Sequence, residues 1–437
     1  MNRLSLLFLL FAVHLWAAQP ESGKSHRDDE GEELSPRFKN RWATNEDFWK
    51  DLKSAFQAQK LEPRLAPPET QLHAQDPTKP ICEIWLSQDL TKSEHQKLVK
   101  DLVTLIGQID PNIKVHVLQT GDYPGYQPPP FPEENQDDTD FTLRDVRSRV
   151  VTYRAGKEIH LGPWRHLDMS TPTVWARDLM VPFRVGGKNT LHFTQVPHRD
   201  IPAASLQKLL GDAHGPMGYT QFNGTSSPGK YYRSEQFAGG NFVPLNPQLV
   251  VRFEEEDRTK SRQLARHGIQ TLNLAMTFGS TNHVDEVISV VPAPQSPCKI
   301  ALLYSRPVVN KENEASKEAR EKHIKAVEDF LGRARKSLNC PSLQAFPIDV
   351  KYNEELLWGS RPQVANPINS LVFPLKDKTV LLVPKLDAQS EKRYRAQIAE
   401  IAEKLKHPFE IKFVDAPFLN AKGGDIHCVT NEIRCSN

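Results

Sequence analysis

From residue 81 onward the chain repeats one pattern: an apolar strand, an amphipathic helix, a second strand, then a loop carrying polar residues. Apolar segments at 82–86, 249–253, 299–304 and 379–384 open the copies. Helical periodicity follows over 91–107, near 258–267, over 314–338 and over 389–407, and strands return at 113–118, 269–275, 342–350 and 409–414. In the third helix Ile324, Val327, Phe330, Leu331 and Leu338 fall on one face, and in the last Tyr394, Ile398, Ile401 and Leu405 do. A helix with one apolar stripe covers one side of a sheet. The expected class is therefore α/β, built from pseudo-repeated strand–helix–strand units. Repeats that each deliver a polar loop from the same position converge those loops on a common axis, which is how such an architecture builds one central site.

The ends of the chain read differently. Arg3, the apolar run 4–13 and the small pair Ala17-Ala18 ahead of Gln19 have the form of a secretory signal peptide over residues 1–18. That apolar run is too short to span a bilayer comfortably, and His14 interrupts it, so no stable membrane insertion is expected. Residues 19–80 are polar, with an acidic run at 28–33 and a proline-rich stretch at 63–80, and read as a tail and linker. Residues 81–437 are then the folded domain. A formal net charge of +2 gives no reason to expect nucleic acid as a partner. The expected location is secreted or periplasmic.

Export changes how the five cysteines are read. Cys298 opens a strand and Cys340 closes the helix after it, so they form a plausible local pair. Cys82 with Cys435 would tie the two ends of the folded region together. That pairing leaves Cys428 over, either as a reactive thiol or as an unpaired accident.

Three segments carry chemistry. Cys428 follows a Gly-Gly turn in Gly423-Gly424-Asp425-Ile426-His427-Cys428 and reads as part of a short alternating strand, in which His427 faces the opposite way. By itself it fits a buried or disulfide-bonded cysteine as well as a nucleophile. His283 and Asp285, two apart in His-Val-Asp, project from one face of an extended segment, with Val284 turned to the core. Such a pair suits acid/base work, cation binding or a plain salt bridge. Trp175 and Asp178 fit either a core tryptophan with a helix cap or one wall of a pocket for a cation. The remaining histidines lack zinc-site spacing, and no metal site is expected.

Taken together, four segments resemble the protein-arginine deiminases among the guanidino-group-modifying enzymes. They are Val174-Trp175-Ala176-Arg177-Asp178, Gly239-Gly240-Asn241-Phe242-Val243-Pro244, the run from His283 to Pro292, and Gly424-Asp425-Ile426-His427-Cys428 with Val429-Thr430-Asn431. The resemblance covers roughly residues 80–437 and implies a pentein-type α/β propeller of five pseudo-repeated units. It implies Cys428 as nucleophile, His283 as general acid and base, and Asp178 and Asp285 as carboxylates on the two guanidinium nitrogens. Trp175 would line the channel for the arginine stem. The implied substrate is an arginine-containing protein or peptide, converted to citrulline without a cofactor.

The sequence also departs from that family. Arg177, Leu179 and Val181 flank Asp178 and cannot ligate calcium, so calcium-independent activity is expected. The family arginine that clamps the substrate backbone has no counterpart in Gly218-Tyr219-Thr220-Gln221-Phe222. A deiminase of agmatine or free arginine is therefore the alternative, and a non-catalytic binding protein on the same fold is a third reading.

Overall fold

The computed structural model describes residues 72–122, 146–162, 164–166, 175–185, 188–193, 218–219, 239–253, 261, 264–265, 267–275, 283–309, 313–352, 365–421 and 424–435. The segment 1–18 expected to be a signal peptide, most of the 19–80 stretch expected as a tail and most of the helix expected near 258–267 lie outside them. No helix among the described residues is long and apolar enough to cross a membrane.

Strand β1 (Leu72–Ala74) precedes β2 (Ile81–Asp89), helix α1 (Ser93–Ile109) and β3 (Lys114–Asp122), with β4 (Val146–Arg154), β5 (Lys157–Leu161) and β6 (Arg165–His166) following. The one-turn helix α2 (Ala176–Leu179) runs into β7 (Met180–Val185), β8 (Lys188–Phe193) and β9 (Gly218–Tyr219). A 3-10 turn at Gly239–Asn241 leads to β10 (Val243–Asn246), β11 (Leu249–Phe253) and β12 (Gln270–Leu274). A second such turn at Val284–Glu286 leads to β13 (Ile288–Ala293), β14 (Lys299–Val309), α3 (Glu314–Ser337) and β15 (Ala345–Tyr352). The last part holds β16 (Leu371–Pro374), β17 (Thr379–Pro384), α4 (Ala388–Leu405), β18 (Phe409–Val414), α5 (Pro417–Ala421) and β19 (Thr430–Arg434).

These strands form five sheets, and each contains the same triplet. A strand pairs antiparallel with the central strand, which pairs parallel with the strand returning after the crossover. The triplets are β7-β8-β9, β10-β11-β12, β13-β14-β15, β16-β17-β18 and β19-β2-β3. The strand–helix–strand units read from the sequence are the parallel pairs with their crossovers. The antiparallel member was the part not resolved as a repeat, because four- to six-residue strands leave little periodicity to read. In the final triplet that member comes from the far end of the chain: β19 lies beside β2, and Cys82–Cys435 bonds the two covalently. Cys298–Cys340 is the second disulfide, and Cys428 stands outside both.

Helix α4 buries the face expected of it, Tyr394, Ile398, Ile401 and Leu405. Its N-terminus is capped by Asp387, whose carboxylate accepts from the N–H groups of Gln389 and Ser390 at 3.0 and 2.9 Å. In α3 the inner face is Val327, Phe330, Leu331 and Ala334, with Ile324 and Leu338 only half-buried at its shoulder. Each of the larger side chains contributes about 1.5–3 kcal/mol on burial. The folded unit begins ahead of residue 81. Leu72–Ala74 pairs with Phe183–Val185, and Gln75 accepts from Arg434 N–H at 2.8 Å, so this end of the expected linker is part of the sheet system.

Candidate active site

In every triplet the antiparallel strand is entered from a polar turn. Trp175 and α2 feed β7, Gly239–Asn241 feeds β10, His283 and the turn Val284–Glu286 feed β13, residues 365–370 feed β16, and residues 424–429 feed β19. The α2 turn packs on Gly239–Asn241, which packs on Val284–Glu286, and α2 also meets β19. Residues far apart in sequence are thereby gathered at one place.

His283, Asp285 and Cys428 come together there, with an imidazole nitrogen, a carboxylate oxygen and the sulfur all within 4.8 Å of one another. Cys428 and Asp285 are buried, and His283 is half-buried. The local backbone differs from the expected extended segments. Val284–Glu286 is a 3-10 turn with His283 as its extended N-cap, and residues 426–429 form a turn rather than a strand. The turn is held by Cys428 N–H on Asp425 O and by Thr430 Oγ1 on Ile426 O, so ladder pairing starts only at Thr430, opposite Leu86.

Two glycines make the close approach possible. A Cβ on Gly240 would stand 2.5 Å from His283 Nδ1 and 3.2 Å from Asp285 Oδ1. A Cβ on Gly424 would stand 2.7 Å from Trp175 Cζ3 and 3.4 Å from Cys428 Cβ, which puts the indole beside the cysteine. Asp178 lies on α2, next to this cluster in the chain, but its side chain is outside the described part of the molecule.

Asp285 is oriented by a network not expected from the sequence. Its Oδ2 accepts from His427 Nδ1 at 2.6 Å and lies 3.6 Å from Arg177 Nε. Arg177 reaches on to Glu432 at 2.8 Å, and His427 Nε2 and Arg434 each lie 3.6 Å from the other oxygen of Glu432. Burial opposes the charge of Glu432, yet Arg177, His427 and Arg434 hold its carboxyl well below the usual range. Asp285 Oδ1 is buried and accepts no hydrogen bond among the described residues. A small cavity of about 40 Å³ adjoins it, lined by Asp285, His427, Arg177, Glu432 and Arg434 among others.

Asn369, in the turn before β16, was also not singled out in the sequence. Its Nδ2 lies 3.2 Å from Cys428 Sγ, and its Oδ1 accepts from the N–H groups of His427 and Cys428 at 2.9 and 3.2 Å. The only signal was a Pro-containing polar turn, Asn366-Pro367-Ile368-Asn369, ahead of an apolar strand. Asp425 is buried and accepts from Asn366 N–H at 2.7 Å. Burial pushes its carboxyl well above the usual range against that hydrogen bond, and the charge of Asp285 adds to the rise.

No protein-family model and no curated protein sequence matches the chain. Solved structures do match. One, provisionally described as a peptidyl-arginine deiminase, is 15% identical with a TM-score of 0.53, covering 84% of this chain and 99% of that one. The agmatine deiminase of C. jejuni is 13% identical at TM-score 0.51, covering 83% and 96%. A Porphyromonas gingivalis structure, provisionally an arginine deiminase, is 12% identical at TM-score 0.51, covering 84% and 99%. At such identities the likeness is one of fold, and this chain has the α/β pentein fold of those deiminase structures.

Proposed function

We propose that the protein is an exported deiminase that hydrolyses the guanidinium of peptidyl-arginine to citrulline and ammonia. The observation that carries this reading is Asp285 Oδ1, a buried acceptor without a donor among the described residues, on a carboxylate set beside a thiol and an imidazole. A buried carboxylate oxygen left unpaired is costly. A guanidinium, a planar fork of N–H donors, satisfies it and presents its carbon to the sulfur. The five sheets with one shared triplet are read as the five units of a propeller, with the site on its axis. Asp178 is assigned to the second guanidinium edge, and Trp175 to the wall along the aliphatic stem.

The chemistry is covalent. The Cys428 thiolate bonds to the guanidinium carbon. His283 gives a proton to the departing nitrogen, the C–N bond breaks, and ammonia leaves a thiouronium on the cysteine. His283 then takes a proton from water, whose oxygen attacks the same carbon. As the C–S bond breaks, the adduct's hydroxyl gives its proton to solvent, which returns the thiolate and leaves the neutral ureido group. No metal or other cofactor enters these steps, and activity is proposed to be independent of calcium. Two disulfides support the exported location, since such bonds persist in oxidising compartments.

Agmatine or free arginine is the second reading, favoured by the fold likeness to an agmatine deiminase and by the lack of an arginine in Gly218-Tyr219-Thr220-Gln221-Phe222. The test is to incubate the purified protein with an arginine-containing peptide, agmatine and free arginine, with and without chelator, and to measure ureido product and ammonia. Ureido product from the peptide, undiminished by chelator and abolished in Cys428→Ala, supports the proposal. Turnover of agmatine alone replaces it with the second reading. No product from any of the three would leave a binding protein on the deiminase fold.

A further inference from the structure

We infer that Asn369 is a catalytic residue, the neutral donor that holds Cys428 as a thiolate. The inference rests on Cys428 being the nucleophile of the proposed reaction. The orientation of the Asn369 amide follows from its partners. Its oxygen accepts from the backbone N–H groups of His427 at 2.9 Å and Cys428 at 3.2 Å. An amide turned the other way would set its NH2 against two donors, so the nitrogen faces Cys428 Sγ, 3.2 Å away. A thiolate is a far better acceptor than a thiol, and a hydrogen bond made to the charged form favours that form.

The residue is built in for this contact. Asn369 is fully buried, and its own backbone is fixed by N–H donation to Asn366 O at 3.1 Å and by its carbonyl accepting from His427 N–H at 3.2 Å. One side chain thus clamps both the backbone and the sulfur of the cysteine turn.

The surroundings of the sulfur make a non-titrating donor useful. Asp285 and His283 face it from the turn before β13. Arg177 on α2 donates its backbone N–H to Cys428 O, and the cysteine's own turn and strand carry Asp425, His427 and Glu432. The Asp285 carboxylate opposes a second negative charge nearby, and His283 changes charge as it passes protons. Asn369 donates at every pH and every stage of the cycle.

The test is the titration of Cys428, followed by thiolate absorbance at 240 nm as the difference from Cys428→Ser. Asn369→Asp keeps an oxygen for the two backbone N–H groups and presents an acceptor to the sulfur in place of the donor. The thiol midpoint is expected to rise by at least one unit, a tenfold loss of thiolate at any pH below both midpoints. Asn369→Ala, which leaves nothing at that position, should raise it as well. A midpoint that coincides with wild type in either folded variant overturns the inference. The titration needs no substrate, so it stands apart from the turnover assay: an ionised, Asn369-dependent thiol without guanidine hydrolysis would reject the function and keep this contact.

Discussion

Gly240→Ala places one methyl group where the structure has no room for it. The new carbon would sit 2.5 Å from His283 Nδ1 and 2.8 Å from His283 Cγ, whereas ordinary contact begins near 3.4 Å. The imidazole or the turn beneath it must therefore give by close to an ångström. Both Asp285 Oδ1, 3.2 Å from the same point, and the sulfur beyond it lose their register with the ring. A displacement of about 1 Å at a reacting group costs roughly a hundredfold in rate, equivalent to about 2.7 kcal/mol of barrier. The overpacking itself costs about 1–3 kcal/mol of stability, offset in part by about 0.4–1 kcal/mol from the stiffer unfolded chain. The assay, which rests on the proposed function, is kcat/KM for ureido formation alongside a thermal melt. Gly332→Ala is the matched control, since its methyl group on α3 meets nothing within 4 Å. It should keep full activity and gain up to about 1 kcal/mol of helix stability. A folded Gly240→Ala protein with kcat/KM equal to wild type would refute the claim that this glycine exists to admit His283.

Other outcomes follow from the same structure. Glu432→Gln leaves Arg177 and Arg434 buried without their shared carboxylate, and should cost about 3–5 kcal/mol in denaturant unfolding. Because the folded-state carboxyl of Glu432 is depressed, its stabilisation is present above the unfolded value of about 4.3 and is lost as pH falls through the folded one. Wild type should therefore lose stability on acidification below about pH 4.3 with a steeper slope than Glu432→Gln, and equal slopes would reject the assignment. Removing the Cys82–Cys435 bridge by a double substitution to serine releases a span of 353 residues. The chain-entropy relation puts that loss at about 5–6 kcal/mol. Removing Cys298–Cys340, which spans 42 residues, should cost less, about 4 kcal/mol. A reversed order of the two melts would show that native contacts rather than loop closure dominate.

What the sequence determined by itself was whatever a local period or a short motif can encode. The strand–helix–strand units were legible because an apolar face repeats every 3.6 residues in a helix, and Tyr394, Ile398, Ile401 and Leu405 mark such a face plainly. The cysteine pairing was expected from position, Cys298 and Cys340 within one strand–helix unit and Cys82 and Cys435 at the two ends of the folded region, and the structure forms both bonds. His283, Asp285 and Cys428 were legible as a set only through resemblance, since each alone reads as an ordinary surface or core residue. Tertiary structure alone decided how they meet. Five equivalent turns converge across hundreds of residues, two of them as turns where the sequence reads as strand. Gly240 and Gly424 owe their identity to side chains from other units, which no local pattern records. Asn369, His427, Arg177 and Glu432 were invisible as partners for the same reason. A hydrogen bond between units leaves no periodicity in either segment, only a polar residue whose purpose depends on what the fold sets opposite it.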